Sequence, residues 1–284
     1  MKTRFGFHLS VRGGVLNAAK EAELKGYGAF QLFVTNPRSW SITHSPPGQA
    51  GLFAESNITH DIIPFAHMPY LCNLASPKNE IREKSMESAI GNIDECNALG
   101  IKYLVFHMGS HLGSGSRDGV ANIVKALGYV LDNSRHCMLL LENSAGYSHS
   151  MGSKIEEIAK VLDEADAKRL GVCLDTCHLF AAGYDLRDKK AVESFDGTFD
   201  RLIGIERVKL VHLNDSKFGL GSGLDRHWHI GKGHIGRKGF VNIFNSKSLG
   251  NGPFIMETPY EDEQSEDSNM RAALDFYSEA HALG

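Results

Sequence analysis

Short apolar runs, rich in β-branched and aromatic residues, alternate along this chain with longer segments whose apolar positions recur at helical spacing. The runs predict eight strands: Phe5–Ser10, Ala29–Val34, Ile62–Met68, Tyr103–Met108, Met138–Ser144, Val172–Cys177, Val208–Asn214 and Phe254–Thr258. Helices are expected over Gly14–Lys25, Asn79–Leu99, Asp118–Asp132, Lys154–Ala165, Lys189–Ile203 and Glu266–Ala282. Two stretches, Trp40–Ser56 and Ser216–Ile235, hold Pro and Gly clusters and read as long loops. Loops of that length in a compact domain are usually functional. The alternation predicts an α/β fold, a single (β/α)8 TIM barrel over residues 1–284. A doubly wound open sheet gives the same alternation and is the competing architecture. No linker or composition break divides the chain, and no G-x-G-x-x-G or Walker sequence opens a helix.

Against this apolar background the polar residues at the strand ends stand out. His67, His107, Glu142, Asp175, His212 and Glu257 each sit at or near the end of a predicted strand, 33 to 45 residues apart in sequence. That spacing is close to one βα unit, and barrel closure would aim all six side chains at one mouth. Buried carboxylates without partners cost several kcal/mol each, so a converging set of them calls for cations. Two further pairs add donors. His178 follows Asp175 by three residues and is expected in the loop after the sixth strand. Asp225 and His227 form an i, i+2 pair that extended backbone presents to one side. The nine candidates, five His and four acids, exceed what one tetrahedral zinc takes. With one bridging carboxylate they suit two or three metals: Zn²⁺ first, with Mn²⁺ or Fe²⁺ compatible. His229 is a rival to His227. His8 is a mouth-lining candidate, and His111 a candidate for supporting His107. His44, His60, His136, His149 and His281 read as loop or surface positions. Cys173 and Cys177 read as buried small hydrophobes.

Composition changes the picture only in part. The chain has 14 His, and its 30 basic against 34 acidic residues leave a formal charge of −4, which excludes a small basic nucleic-acid module. Five Cys are too few for a disulfide scaffold and point to a reducing compartment. Met1–Ser10 lacks the apolar core of a signal peptide, and no run is long enough to span a membrane, so a cytoplasmic location is expected.

At these same residues the chain resembles endonuclease IV, the zinc-dependent apurinic/apyrimidinic endonuclease family of base-excision repair. The segment VCLDTCHLFAAGYD (Val172–Asp185) carries the resemblance most strongly. HMPYLCNLASP, FHMGSH, LLENSAG, HLNDSK, DRHWHIGKGHIG and METP extend it in order to about residue 260. FHLSVRGG and LFVTNPRSW match near the start. The resemblance implies three zinc ions. His67 and His107 hold one, with Glu142 bridging to a second that Asp175, His212 and Glu257 complete. His178, Asp225 and His227 hold the third, which prefers His227 over His229. Two departures are visible: Met108 stands where the family usually has proline, and Lys232 where it often has an acid.

The resemblance further implies a deoxyribonuclease IV activity. The phosphodiester 5′ to an abasic site in double-stranded DNA is hydrolysed to a 3′-hydroxyl and a 5′-deoxyribose phosphate, with removal of 3′-blocking groups as an accompanying activity. Glu142 is the expected catalytic residue. Arg38, Tyr70 and Leu71 are expected to fill the gap in the duplex. Lys217, Arg226, Lys232 and Arg237 are candidates for phosphate contacts. A monomer without an obligate protein partner is expected. Three Zn²⁺ would shift the formal charge to about +2, all of the gain at one mouth, which reconciles a mildly acidic chain with a DNA substrate. A sugar isomerase or epimerase on the same barrel is the main alternative, distinguished by two Mg²⁺ or Mn²⁺ instead of three Zn²⁺. A non-catalytic DNA-binding protein is the third possibility.

Overall fold

The computed structural model describes residues 4–165 and 168–282; Met1–Thr3, part of the N-terminal segment, lie outside them. The strands are β1 (Phe5–Phe7), β2 (Ala29–Leu32), β3 (Ile63–His67), β4 (Tyr103–His107), β5 (Met138–Glu142), β6 (Leu170–Asp175), β7 (Val208–His212), the short β8 (Asp215–Ser216) and β9 (His227–Trp228), and β10 (Phe254–Met256). Eight of them form one parallel sheet in the order β1-β10-β7-β6-β5-β4-β3-β2. The two ends of this order meet through a parallel bridge between His8 and Gln31, with Leu9 N–H donating to the Gln31 carbonyl at 2.7 Å. That seam closes the sheet into a barrel and removes the open-sheet alternative. The approach is close enough that a Cβ at Gly6 would fall 1.7 Å from the Ala29 carbonyl oxygen, so this position has no room for a side chain.

The helices lie between the strands: α1 (Val15–Leu24), α2 (Pro47–Thr59), α3 (Asn79–Ala98), α4 (Ser116–Asp132), α5 (Ile155–Ala165), α6 (Thr176–Ala181), α7 (Lys189–Leu202), α8 (Gly236–Asn245) and α9 (Glu263–Ala282). α5 shows why such segments fold onto the barrel: Ile155, Ile158, Val161 and Leu162 make one apolar stripe, and all four are buried. Three helices depart from the sequence expectation. α2 occupies a segment read as loop. Its Gly48 and Gly51 lower helix propensity and mask the pattern, while a proline opening its first turn is compatible with helix initiation. α8 likewise carries two glycines. α6 follows β6 without a loop because Asp175 caps it, accepting from the His178 backbone N–H at 2.8 Å. His178 therefore sits on a helix, not in the loop expected. The Ser216–Ile235 stretch holds a small antiparallel pairing of β8 with β9, Asp215 opposite Trp228 and Ser216 opposite His227. No helix among the described residues is long and apolar enough to cross a membrane.

Inside the barrel, Ala29, Phe65, Val105, Leu140, Cys173, Leu210 and Ile255 form a separate dry layer. Each comes from a different strand, and each lies two residues before a polar side chain. Because strand side chains alternate in direction, that polar residue points the same way one layer higher.

Candidate metal centre

The layer above the dry core is built by this two-residue step. Phe65 is followed by His67, Val105 by His107, Leu140 by Glu142, Cys173 by Asp175, Leu210 by His212 and Ile255 by Glu257. The other two strands obey the same step, Ala29 leading to Gln31 and Gly6 to His8. The register aligns neighbours, with His107 beside Glu142 and Asp175 beside His212. All eight strands thus place a polar group at one level. Gln31 was missed in the sequence reading, although a glutamine inside the apolar run AFQLF was a visible signal.

The nine candidate donors fall into three groups. His67, His107 and Glu142 make one; Glu142, Asp175, His212 and Glu257 a second; His178, Asp225 and His227 a third. Within each group the donor atoms lie within 4.8 Å of one another. Glu142 belongs to two groups, its Oε2 being 3.1 Å from His67 Nε2 and its Oε1 3.0 Å from His212 Nδ1. Asp225 and His227 arrive from the β8–β9 segment, and Asp225 Oδ1 is 3.1 Å from His178 Nε2.

The outward-facing ring nitrogens show that these histidines suit a cation. His67 Nδ1 donates to the Met68 carbonyl at 2.8 Å, His178 Nδ1 to Asn143 at 3.0 Å and His227 Nδ1 to Glu257 at 3.2 Å, while His212 Nε2 donates to Gln31 Oε1 at 2.9 Å. A proton on the outer nitrogen leaves a lone pair on the inner one. For His178 and His227 those inner Nε2 atoms are 3.4 Å apart. Two lone pairs facing at that distance repel unless a proton or a metal stands between them. Imidazole nitrogens and carboxylate oxygens in sets of three and four suit zinc.

The acids are anchored as firmly. Asn143 accepts from the Asp175 backbone N–H at 2.7 Å and donates to its carbonyl at 3.1 Å. Asn214 donates to Asp175 Oδ2 at 2.7 Å and accepts from the Glu257 N–H at 2.8 Å. Burial pushes Glu142 up, but the charges of His107 and His212 and hydrogen bonds from His212 and His67 hold it well below the usual carboxylate range. Glu257 follows the same balance, buried but held well down by His212, His8 and His227. Burial lowers His178, yet Asp175, Asp225 and Glu142 raise it to about 10. His212 is likewise raised above its ordinary value, burial being outweighed by Cys173, Glu257 and Glu142. Burial keeps His107 and His8 below theirs.

The remaining histidines have other work. His229 is buried and faces away, its Nδ1 3.1 Å from Asn269 Nδ2 and its Nε2 3.3 Å from Glu261. His111 Nδ1 accepts from the N–H groups of Gly113 and Gly115, ordering the loop after β4. Cys177 lies near Asp175 and His227, but burial pushes its thiol far up, leaving it protonated and a poor ligand. Cys173 belongs to the dry layer, and burial pushes its thiol up to about 12.

A cavity of about 480 Å³ opens over the centre, lined by His8, Phe33, Tyr70, Arg226, Thr258 and Tyr260 among others. A second hollow of about 590 Å³ adjoins it, sharing Tyr70, His107, His178 and Asp225 and reaching Leu71. Tyr70 and Leu71 are exposed at this rim, 66% and 39%. Arg38 is exposed in the loop after β2, its N–H donating to Asn36 Oδ1 at 3.0 Å. Lys217 lies over the Trp228 ring at 4.4 Å, and Lys232 is exposed. Arg237 is taken up elsewhere, paired with Glu279 and stacked over Phe276. Met108, one of the two departures, is fully buried in the core.

With this geometry in view, the relatives are decisive. A family described as Xylose isomerase-like TIM barrel matches residues 17–280. A protein named Probable endonuclease 4 from Methanoculleus marisnigri is 43% identical over 269 residues, covering 93% of this chain and 95% of its own. The chain belongs to the endonuclease IV family. The crystal structure of endonuclease IV from Thermus thermophilus superposes with a TM-score of 0.85 at 35% identity, over 97% of this chain and 99% of that one. A D-tagatose 3-epimerase-like protein superposes with a TM-score of 0.72 at 20% identity, covering 98% and 99% of the two chains, a likeness of fold alone.

Proposed function

We propose that this protein of the endonuclease IV family is a metal-dependent DNA repair endonuclease that hydrolyses the phosphodiester 5′ to an apurinic/apyrimidinic site, leaving a 3′-hydroxyl and a 5′-deoxyribose phosphate. The observation that carries this reading is the three-group donor set at the mouth, with Glu142 common to two groups. Three zinc ions are the proposed complement: one on His67, His107 and Glu142, one on Glu142, Asp175, His212 and Glu257, and one on His178, Asp225 and His227. Bound divalent ions supply Lewis acidity toward a phosphoryl group whose charge grows in the transition state. Glu142 orients the attacking water and is the group placed to accept its proton. The third group, with two of its donors on the β8–β9 segment, favours this reading over a two-metal sugar isomerase.

The substrate nucleotide must leave the duplex stack, and a missing base makes that step cheap. Tyr70 and Leu71 on the rim, with Arg38 beside them, fill the space it vacates. Lys217, Arg226 and Lys232 meet backbone phosphates. The chain acts as a single-domain monomer, inside the cell, without an obligate protein partner. Removal of 3′-blocking groups uses the same centre. The test is incision of a duplex carrying one tetrahydrofuran abasic analogue, with metal analysis of the protein used. Cutting 5′ to the analogue, abolished by EDTA and restored by zinc, with three zinc per chain, is the expected result. No incision by zinc-loaded protein would overturn the proposal.

A further inference from the structure

α3 buries a stripe that is polar. Ser85, Ser88, Asn92 and Glu95 stand at i, i+3, i+7 and i+10, the spacing at which a helix on a barrel ordinarily turns apolar side chains inward. Their exposures are 0%, 3%, 0% and 1%. Burying polar side chains costs free energy unless each finds a partner, and an apolar stripe would carry no such cost.

The partners lie on the two loops that carry Arg38, Tyr70 and Leu71. In the loop after β2, Thr35 Oγ1 donates to Asn92 Oδ1 at 3.0 Å. At the far end of the same loop, the Ser45 N–H donates to Glu95 Oε1 at 2.9 Å and His44 Nδ1 to Glu95 Oε2 at 3.0 Å. Residues three apart on a helix are neighbours, so both ends of this loop are fixed on one patch of α3. Between the anchors Ile42 lies against Gly91, where a Cβ would fall 2.7 Å from Ile42 Cγ1. Asn92 is itself held, donating to the Ser88 carbonyl at 2.8 Å. In the loop after β3, the Asn73 N–H donates to Ser85 Oγ at 2.8 Å, just past Leu71.

Neither helix nor strand forms between Thr35 and Ser45, and Arg38 is exposed there. Such a segment is ordered by its anchors. Releasing one end lets it sample more conformations, and the fraction ready to bind falls. Glu95 is the fullest anchor, since one buried carboxylate takes a donor on each oxygen. It belongs to none of the three donor groups.

We propose, resting on the endonuclease reading above, that the buried polar stripe of α3 positions the DNA-facing loops, and that Glu95 is the positioning residue that holds Arg38 ready to enter the gap at an abasic site. Glu95 touches neither the metal donors nor DNA and acts through the loop.

The test replaces Glu95 by leucine, which fills the buried space without accepting a hydrogen bond. A well-packed apolar replacement of a buried charge is often neutral for stability, and the freed donors of His44 and Ser45 lie close enough to solvent to meet water. Steady-state incision of the tetrahydrofuran duplex is measured beside zinc per chain and the urea midpoint. KM is expected to rise about tenfold, as when the competent fraction of the loop drops to about a tenth, with kcat and zinc content unchanged. In an Arg38→Ala background the same change should raise KM no further, because the residue it positions is gone. Glu95→Gln, which keeps an acceptor for the Ser45 N–H, should recover most of the affinity. Thr35→Val keeps the side-chain shape and frees the other end of the loop. It should raise KM in the same way, and it decides the matter if Glu95→Leu does not fold. A wild-type KM in folded Glu95→Leu or in Thr35→Val overturns the proposal. So does an effect that adds in full to that of Arg38→Ala, or one that falls on kcat with loss of zinc. Wild-type protein that does not cut the duplex sinks the endonuclease reading and this proposal with it; wild-type cutting with an unchanged KM in the variants sinks this proposal alone.

Discussion

Replacing Glu142 by glutamine probes the centre most directly. The change keeps the shape of a side chain that is 1% exposed, and removes one charge. Four imidazole nitrogens surround that carboxylate: His212 at 3.0 Å, His67 at 3.1 Å, His178 at 3.4 Å and His107 at 3.5 Å. Removing one member of a buried charged network typically costs about 3–5 kcal/mol. Expressed as metal retention, that is about 10²- to 10⁴-fold, and it falls on two donor groups because Glu142 serves both. Glu142→Gln is therefore expected to lose zinc from both groups under a chelator challenge that wild-type protein survives. Incision should fall to background, while near-UV circular dichroism stays native. Zinc per chain is read by elemental mass spectrometry after dialysis against graded chelator, and incision on the tetrahydrofuran duplex. A Glu142→Gln protein that keeps its full zinc content and cuts at close to the wild-type rate would refute both the bridging and the catalytic roles.

Other outcomes follow from the same geometry. Against burial, Asp175, Asp225 and Glu142 raise His178 to about 10, so it holds a second proton near neutral pH in the metal-free protein. Zinc binding should then release that proton, and apparent affinity should climb with pH; calorimetric heats that do not depend on the buffer's ionisation enthalpy would contradict this. In the metal-free protein the stabilisation from protonated His178 is complete below 6.5 and lost as pH rises toward about 10, so denaturant midpoints should fall across that window, and a flat profile would count against the ion pairs. Tyr70→Ala, at a 66% exposed position, should leave zinc content intact but weaken binding of the abasic duplex by about 1–3 kcal/mol, measured by fluorescence anisotropy. Phe65→Ala empties the dry layer beneath His67, where Phe65 is fully buried and stacks on Tyr103 at 5.3 Å. It should cost about 3–5 kcal/mol in urea unfolding, and an unchanged midpoint would show that this layer does not support the mouth.

Much of this is legible in the sequence. Short apolar runs and period-3.6 segments identify strands and helices because barrel strands are buried on both faces while each helix buries only one. Polar residues inside such runs are conspicuous for the same reason, as His67, His107, Glu142, Asp175, His212 and Glu257 are. What escapes notice is local chemistry whose signal is weak. α2 and α8 are each interrupted by two glycines, and their stability comes from packing against the barrel, which propensity does not report. Gln31 interrupts the apolar run AFQLF but carries no charge, so its place in the polar layer shows only when closure buries it against His8, His212 and Glu257.

The sequence by itself determined the alternation, the depth of the polar layer along each strand and the chemical types available at the mouth, since all three depend on spacing along one chain. Closure of the barrel, the sharing of Glu142 between donor groups, the turning of His229 toward Asn269 and the burial of Gln31 among His8, His212 and Glu257 depend on side chains from distant segments meeting at hydrogen-bond distance. His8 and Glu257 are 249 positions apart in the chain. No local pattern encodes that meeting. The tertiary structure decides it, because only closure of the barrel brings Gln31 to within 2.7 Å of Glu257 and 2.9 Å of His212.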